Sequence, residues 1–324
     1  MRRLSSWATP WSWTAGRRFD AAQPESGSDL NEREIRMARI GFIGVGAMGS
    51  SIASRLVNGH DLLVSDRNPA AAAELVSQGA RFATPEEIAE KCRTIFLCLP
   101  GPPQVKDLLL GPKGLAFGLA AETIIIDTTT GTPVTDSELV ATLSERRVTY
   151  VDAPIAGGVR RAREGTATLM VGADPEVFAG IQDLLHEVTT EVVNVGPVGS
   201  GHAMKLVNNL LNACNRFAAL ETIRLGVAAG MRQEVVVDVL NKSSGRNYAT
   251  EYTFPQLLSG DAYKPQGFTL HLMLKDIRLA NELAETLGHT TPIGNLVQEF
   301  TQQAIERFGP TADQSQMMAE WYDA

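Results

Sequence analysis

The stretch that most limits what this chain can become is Arg39–Leu56, RIGFIGVGAMGSSIASRL. A short apolar run (Ile40, Phe42, Ile43) leads directly into Gly44-x-Gly46-x-x-Gly49, and small and apolar residues then recur at helical spacing through Ile52, Ala53, Leu56 and Val57. That order reads as strand, tight turn and helix, the opening of a dinucleotide-binding βαβ unit. Gly44 permits the sharp turn off the strand, Gly46 lacks a Cβ and so admits a pyrophosphate to the backbone, and Gly49 lets the helix pack closely on the sheet. Ala47 and Met48 fall where the helix begins, and a helix start offers unpaired N–H groups and a positive dipole end to an anion.

The next strand, Leu62–Ser65, ends at Asp66. An acid about 20 residues beyond the glycines is where such a fold reads the ribose 2′-hydroxyl. A carboxylate accepts from that hydroxyl and repels a 2′-phosphate, so Asp66 favours NAD over NADP. Arg67, its neighbour, is the residue able to swing toward a 2′-phosphate. Asp66 also opens the turn Asp-Arg-Asn-Pro, and the two roles are compatible.

From Ile40 onward, strands and helices alternate. Strands are expected at 94–99, 123–127, 148–152, 168–171 and near 192–193, with helices at 69–78, 105–110, 133–145 and 175–185 between them. Thr84-Pro85 and Thr132-Pro133 each place an N-cap before a proline at the first helical position. Strand–helix alternation of this kind predicts an α/β fold, a Rossmann-type doubly wound parallel sheet. Beyond Gly196-Pro197 the period becomes helical throughout. One long helix is expected over about 200–230, followed by others near 232–241, 249–258, 268–287, 292–307 and 313–322. The expected organisation is a nucleotide-binding domain over 38–198 and an all-helical substrate and dimerisation domain over 199–324.

Residues 1–37 read differently, with three of the four Trp and a polar Gly/Ser/Asp/Glu run. They are expected to be a disordered or non-native leader. Arg2, Arg3, Arg17 and Arg18 with no acid among the first nineteen residues also resemble an organelle-targeting peptide. The expected location is therefore cytoplasmic, or mitochondrial if the leader is a targeting peptide. The formal net charge is −8, without a basic cluster, which argues against nucleic acid or an anionic membrane as partner. Three cysteines with no ligand-like spacing suggest reduced, buried thiols, and no metal is expected.

Two further segments carry chemistry. In Asp152-Ala153-Pro154-Ile155-Ala156-Gly157-Gly158 a strand ends on paired glycines whose bare N–H groups suit a carboxylate, although the same pattern also serves as a plain strand-to-helix loop. In Gly199–Asn209, glycines open the long helix and His202, Lys205 and Asn209 are spaced for one face. A free lysine has a pKa of about 10.4. To act as a base near neutrality it needs burial or a nearby cation, and Lys275, in Leu274-Lys275-Asp276, is the candidate cation.

Taken together, these segments resemble the β-hydroxyacid dehydrogenase family. GFIGVGAMG at 41–49, Leu99-Pro100, IDTTTGTP at 126–133, DAPIAGG at 152–158, GSGHAMKLVNN at 199–209 and KDIRLA at 275–280 occur in the family's order, across about 38–320. The resemblance implies a 3-hydroxy acid substrate similar to 3-hydroxyisobutyrate, NAD or NADP as cofactor, and a homodimer or homotetramer whose helical domains pack together. It implies Lys205 as the catalytic lysine and Asn209 as an amide that holds substrate. Gly157 and Gly158 would donate to the substrate carboxylate. Lys275 would lie near cofactor and substrate with Asp276 as its partner, Leu99 and Pro100 over the adenosine side, and Thr130 near the nicotinamide. Ala156 stands where the family usually has Ser, so one hydrogen bond to the carboxylate is missing or supplied otherwise; Arg160 and Arg161 are the basic neighbours. Two alternatives remain: an NADPH-dependent reductase of a small aldehyde acid (glyoxylate, succinic semialdehyde or tartronate semialdehyde), or a nucleotide-binding protein that has lost catalysis.

Overall fold

The computed structural model describes residues 38–258 and 265–320; the leader expected over 1–37 lies outside the described residues. Among these residues nine strands form one sheet. They are β1 (Arg39–Ile43), β2 (Asp61–Ser65), β3 (Arg81–Phe82), β4 (Thr94–Leu97), β5 (Ile124–Asp127), β6 (Thr149–Asp152), β7 (Ile155–Ala156), β8 (Thr168–Gly172) and β9 (Glu191–Gly196). The order runs β3-β2-β1-β4-β5-β6-β8-β7, with β9 paired to β8. Every pair from β3 to β6 is parallel.

This is the doubly wound Rossmann arrangement, and it sets where the site must lie. β1 pairs with β2 on one side and β4 on the other, so chain order reverses at β1 and a crevice opens at the strand C-termini. The glycine turn leaves β1 at that point. Two features depart from uniform parallel pairing: β8 runs antiparallel to both β6 and the two-residue β7. Residues 157–167 connect β7 to β8, and a segment of that length is too short for the crossover a parallel return requires.

Helices α1 (Ala47–Leu56), α2 (Ala73–Ser77), α3 (Pro85–Lys91), α4 (Pro102–Leu110), α5 (Pro133–Ser144), α6 (Gly158–Glu164) and α7 (Pro175–Val188) cover the sheet. Thr84 and Thr132 cap α3 and α5 through their hydroxyls, with proline in the first turn of each. Two apolar layers result. One joins β1 and β4 to α1 and α7 around the stacked rings of Phe42 and Phe96. The other packs Ile88, Val105, Leu109, Leu139 and Leu143 on the opposite face. Burying an aromatic or large aliphatic side chain stabilises a fold by about 1.5–3 kcal/mol, so these two layers make the sheet a rigid platform.

The chain leaves the sheet at Gly196 and enters α8 (Ser200–Ala228), 29 residues long, or about 43 Å at the α-helical rise. Around it lie α9 (Gln233–Asn241), a π-helical turn (Ala249–Thr253) running into α10 (Phe254–Leu258), α11 (Leu270–Thr286), α12 (Pro292–Phe308) and α13 (Gln314–Glu320). Their core is separate, built on Phe217, Leu220, Ile223, Phe254, Met273 and Ile277 among others. Apart from an isolated bridge between Thr269 and Asp313, no strand pairing occurs among the described residues of this half.

Candidate active site

Between the strand ends and the first turns of α8 and α11 runs a cleft of about 1650 Å³. Gly44, Gly46, Ala47, Met48, Gly49, Asp66, Arg67, Leu99, Pro100, Thr130, Ala156, Gly157, Gly158, Lys205, Asn209, Lys275 and Asp276 all line it. Residues spread over more than 230 positions of sequence thus share one space.

At the sheet end the cleft is made of backbone. Gly44 has φ +93°, and a Cβ there would collide with the Cys98 carbonyl; a Cβ at Gly49 would collide with the Gly44 carbonyl. Gly46 is different: a Cβ would meet no atom within 4 Å, so it would project into the open cleft. No side chain caps α1 at Gly46, which leaves its first N–H groups facing a bare concavity suited to a pyrophosphate. Asp66 is held at the rim of this concavity, where its Oδ2 accepts from Val45 N at 2.9 Å and its Oδ1 from Asn68 N at 2.8 Å. Arg67 next to it is 87% exposed, with Asp107 3.9 Å away. Leu99 N donates to Thr129 Oγ1 at 3.0 Å, fixing the turn after β4.

At the helical end the cleft is made of side chains. Lys205 Nζ donates to the Ile155 carbonyl at 2.7 Å, just ahead of the glycine pair. Asn209, one turn on, donates through Nδ2 to Asp276 Oδ2 at 2.6 Å. Lys275 Nζ lies 3.1 Å from Asp276 Oδ1 and donates to the Pro100 carbonyl at 3.1 Å, joining the two halves across the cleft. Burial brings the Lys205 amine down to about 8; the Asp276 carboxylate opposes that fall and the Lys275 ammonium adds to it. Gly157 and Gly158 have φ +133° and +78°, conformations in which an L side chain is strained, and no side chain caps the short α6 they open. Ala156 offers only a methyl. Arg160 is paired with Glu164, and Arg161 bonds the Thr166 carbonyl, so both are engaged at the rim.

His202 is where the structure departs from the expected helix face. Its ring is fully buried and turned away from the cleft, with Nδ1 2.9 Å from the Asp136 carboxylate on α5. His202 sits in the first turn of α8, where Asp152 holds its N–H and Asp136 its ring, and these carboxylates draw it into the protein and away from the cleft. Asp136 belongs to a buried cluster with Asp127 and Asp152, which are paired across β5 and β6 at their C-terminal ends. Tyr150 donates to Asp127 at 2.8 Å and to Asp136 at 3.2 Å. Asp152 accepts from Gly199 N at 2.8 Å and His202 N at 2.7 Å, so a carboxylate from the sheet secures the start of α8. Burial alone would lower the His202 pKa; the surrounding carboxylates, Asp136 foremost, raise it to about 9. Burial and the charge of Asp136 push Asp152 up to about 6, against the opposing pull of His202 and the two backbone N–H groups.

This cluster frames the candidate base. Asp152 holds the helix that carries Lys205, and Lys205 in turn bonds Ile155, three residues past Asp152. The sequence does not single out Asp127, Asp136 or Tyr150, because a lone carboxylate or phenol at a strand end or on a helix has no local signature. It also did not identify Asn212, Arg216, Tyr252 and Gln314 on the cleft wall. Asn212 and Arg216 had a signal, their helical spacing from Lys205 and Asn209; Gln314 had none. Tyr248 also lines the cleft, its ring 4.8 Å from that of Tyr252.

Comparison with known proteins bears on the family directly. The sequence model for the NAD binding domain of 6-phosphogluconate dehydrogenase matches residues 39–196, and that for the NAD-binding domain of NADP-dependent 3-hydroxyisobutyrate dehydrogenase matches 199–321. The chain belongs to the β-hydroxyacid dehydrogenase family. Among relatives in that family, 2-(hydroxymethyl)glutarate dehydrogenase of Eubacterium barkeri is 36% identical over 273 residues, covering 83% of this chain and 88% of the relative. Mitochondrial 3-hydroxyisobutyrate dehydrogenase of Bos taurus is 34% identical, covering 79% and 78%. The solved structure of Mycobacterium tuberculosis 3-hydroxyisobutyrate dehydrogenase with L-serine superimposes with a TM-score of 0.80 at 25% identity, covering 88% of this chain and 99% of that one. The β-hydroxyacid dehydrogenases are NAD(P)-dependent oxidoreductases, and the bare glycine concavity and oriented Asp66 fit such a cofactor.

Proposed function

We propose that the protein catalyses reversible hydride transfer between a 3-hydroxy acid similar to 3-hydroxyisobutyrate and NAD, with Lys205 as general acid and base. The observation that carries this reading is the Lys205 amine, half-buried on the cleft wall and brought down to about 8. The backbone of Gly157-Gly158 receives the substrate carboxylate, and Asn209, oriented by Asp276, donates to the reacting oxygen. Neutral Lys205 accepts the hydroxyl proton during oxidation; in reduction the ammonium returns it to the carbonyl oxygen. The nicotinamide, when bound, takes up or supplies the hydride. Lys275 bridges the halves through Pro100 and holds the cleft narrow, and geometry fixed in this way supplies part of the barrier reduction. The methyl of Ala156 makes no bond to the carboxylate, so the glycine N–H groups take a larger share of its binding.

Asp66 supports NAD as the preferred cofactor. The exposed Arg67 supports a second reading, an NADPH-dependent reductase of a small aldehyde acid such as glyoxylate, succinic semialdehyde or tartronate semialdehyde. We further infer a homodimer or homotetramer. Met204, Val207 and Leu211 on α8 and Ile293 and Leu296 on α12 are exposed apolar side chains, a pattern suited to packing between copies. Among the described residues no helix is long and apolar enough to cross a membrane.

The test is a turnover screen of 3-hydroxyisobutyrate, hydroxypropionate, D-glycerate and threonate, each with NAD and NADP, beside the three aldehyde acids with NADH and NADPH. Oxidation of a 3-hydroxy acid with NAD preferred is the expected result. Preference for aldehyde reduction with NADPH moves the assignment to the second reading, and no turnover of any member argues against both.

A further inference from the structure

The wall of the cleft along α8 does not end at Asn209. Lys205, Asn209, Asn212 and Arg216 follow one another at i, i+4, i+7 and i+11, the spacing of a single helix face, and all four line the cleft. Arg216 is 3% exposed. Among the described residues its hydrogen bonds go only to Thr253 Oγ1 at 3.4 Å and Met318 Sδ at 3.7 Å, and no carboxylate pairs with it. A buried guanidinium is ordinarily paired, because leaving water without a counter-charge is costly. Burial lowers Arg216 to about 10, opposed by Tyr248 and Asp313.

Among the described residues, the acids of this neighbourhood, Asp313 and Asp276, have partners other than Arg216. Asp313 accepts from Gly267 N and Phe268 N through Oδ2 and from Ser315 N through Oδ1. Asp276 serves Asn209 and Lys275. Between Arg216 and Asn209 there is a small cavity of about 20 Å³, also walled by Asn212, Asp276 and Gln314. Among the described residues, three buried acceptors in that wall have no hydrogen-bond partner: Asn212 Oδ1, Gln314 Oε1 and Asp276 Oδ1, the last offset by the Lys275 ammonium 3.1 Å away. Nearest the base, then, lies a run of amides able to bond hydroxyls, and at its far end a buried cation that no carboxylate among the described residues pairs.

We infer that Arg216 is the receptor for a second anionic group of the substrate, remote from the carbon that reacts at Lys205, with Asn212 and Gln314 bonding polar groups of the chain between. The substrate class is then a hydroxy acid bearing a terminal carboxylate or phosphate several bonds from its hydroxyl. Arg216 follows Lys205 by three helical turns, about 16 Å between backbones, so the site selects extended acids over three-carbon ones. The guanidinium fork suits either anion bidentately. The inference deepens the proposed function and rests on it for the position of the reacting end.

The experiment measures ligand binding and turnover separately. Thermal shift reports binding without chemistry, using saturated acids in matched sets: one end a carboxylate, the other a neutral methyl ester, a carboxylate or a phosphate. Turnover is then measured with the corresponding 3-hydroxy acids. Wild type should bind and turn over the doubly anionic ligands about 10- to 100-fold better than the esters, the range expected for charged hydrogen bonds. Arg216→Met should lose that preference, keep the ester activity within about twofold and show no loss of melting temperature, because it removes an unpaired buried charge. Arg216→Lys keeps the charge without the fork; it should retain part of the preference and serves as the decisive variant if Arg216→Met does not fold. Comparison of carboxylate with phosphate identifies the anion. A preference that persists unchanged in the Arg216 variants, or wild type treating esters and dianions alike, overturns the inference while leaving hydride transfer intact. Arg216-dependent binding of dianions without turnover of any acid keeps the subsite and overturns the proposed reaction.

Discussion

The two ends of the cleft are built from different material. The sheet end presents backbone: glycines, strand termini and the uncapped start of α1, with Asp66 an oriented side chain at its rim. The helical end presents side chains on α8 and α11, held by an ion pair and by an amide hydrogen bond. A backbone site depends on the absence of atoms, so it fails when a side chain is added. A side-chain site depends on the chemistry of a few groups, so it fails when one is removed.

That difference predicts opposite failures. Lys205→Met should lower turnover by about 10²–10⁴, the range for losing a general acid–base group, while the affinity for NAD measured by fluorescence titration stays near wild type. Gly46→Val should do the reverse. Its Cβ meets no protein atom, so the melting temperature is retained, but cofactor affinity falls steeply because the side chain occupies the pyrophosphate space. Gly44 and Gly49 are unsuitable for this test, since a Cβ at either collides with backbone. If Gly46→Val bound NAD normally, the sheet end would not be the cofactor end.

A smaller effect sharpens the sheet end. Asp66→Ala removes the acceptor proposed for the ribose hydroxyl and the charge that repels a 2′-phosphate. NAD should weaken by about tenfold, the worth of one charged hydrogen bond, and NADP should gain relative to it. The ratio of kcat/KM for the two cofactors reads this directly, and an unchanged ratio would remove Asp66 from the discrimination.

The smallest effect concerns the framework beneath Lys205. His202 has its pKa raised in the fold by Asp136, with Asp152, Asp127 and Tyr150 as the other groups facing the pair. A raised histidine contributes stability that is complete below its unfolded value and is lost as pH climbs through the folded one. The window runs from about 6.5 for a free histidine to about 9 here. Melting temperature should fall across it, by the equivalent of about 1–3 kcal/mol, and His202→Gln should flatten that slope. A slope unchanged by the substitution would detach His202 from the cluster's titration.

The same contrast explains what the sequence made legible. Glycine spacing reports a backbone site because only glycine satisfies it, and the alternation of strands and helices followed from apolar runs such as Thr94–Leu99 and Thr123–Asp127. Lys205 and Asn209 stood out as candidates because a helical stretch with several Asn and no acid before Glu221 is a poor choice for stability alone. The antiparallel β7–β8 pairing was not legible, since β7 has only two residues and its direction is set by a short connection. Nor was the carboxylate cluster: Asp127, Asp136 and Asp152 meet through register and helix placement that no local pattern records. His202 was placed on the wrong side for the same reason, because the carboxylates that draw it inward come from β6 and α5.

The most direct test of the account is the pH dependence of turnover in both directions at saturating substrate and cofactor, for wild type and Lys205→Met. The account predicts that wild-type oxidation rises through about pH 8 as the Lys205 amine loses its proton, and that reduction falls through the same value. In Lys205→Met both limbs should vanish and the rate should drop. A variant that keeps the wild-type rate, or keeps the limb near 8, would contradict the assignment of Lys205 as the proton-transferring group.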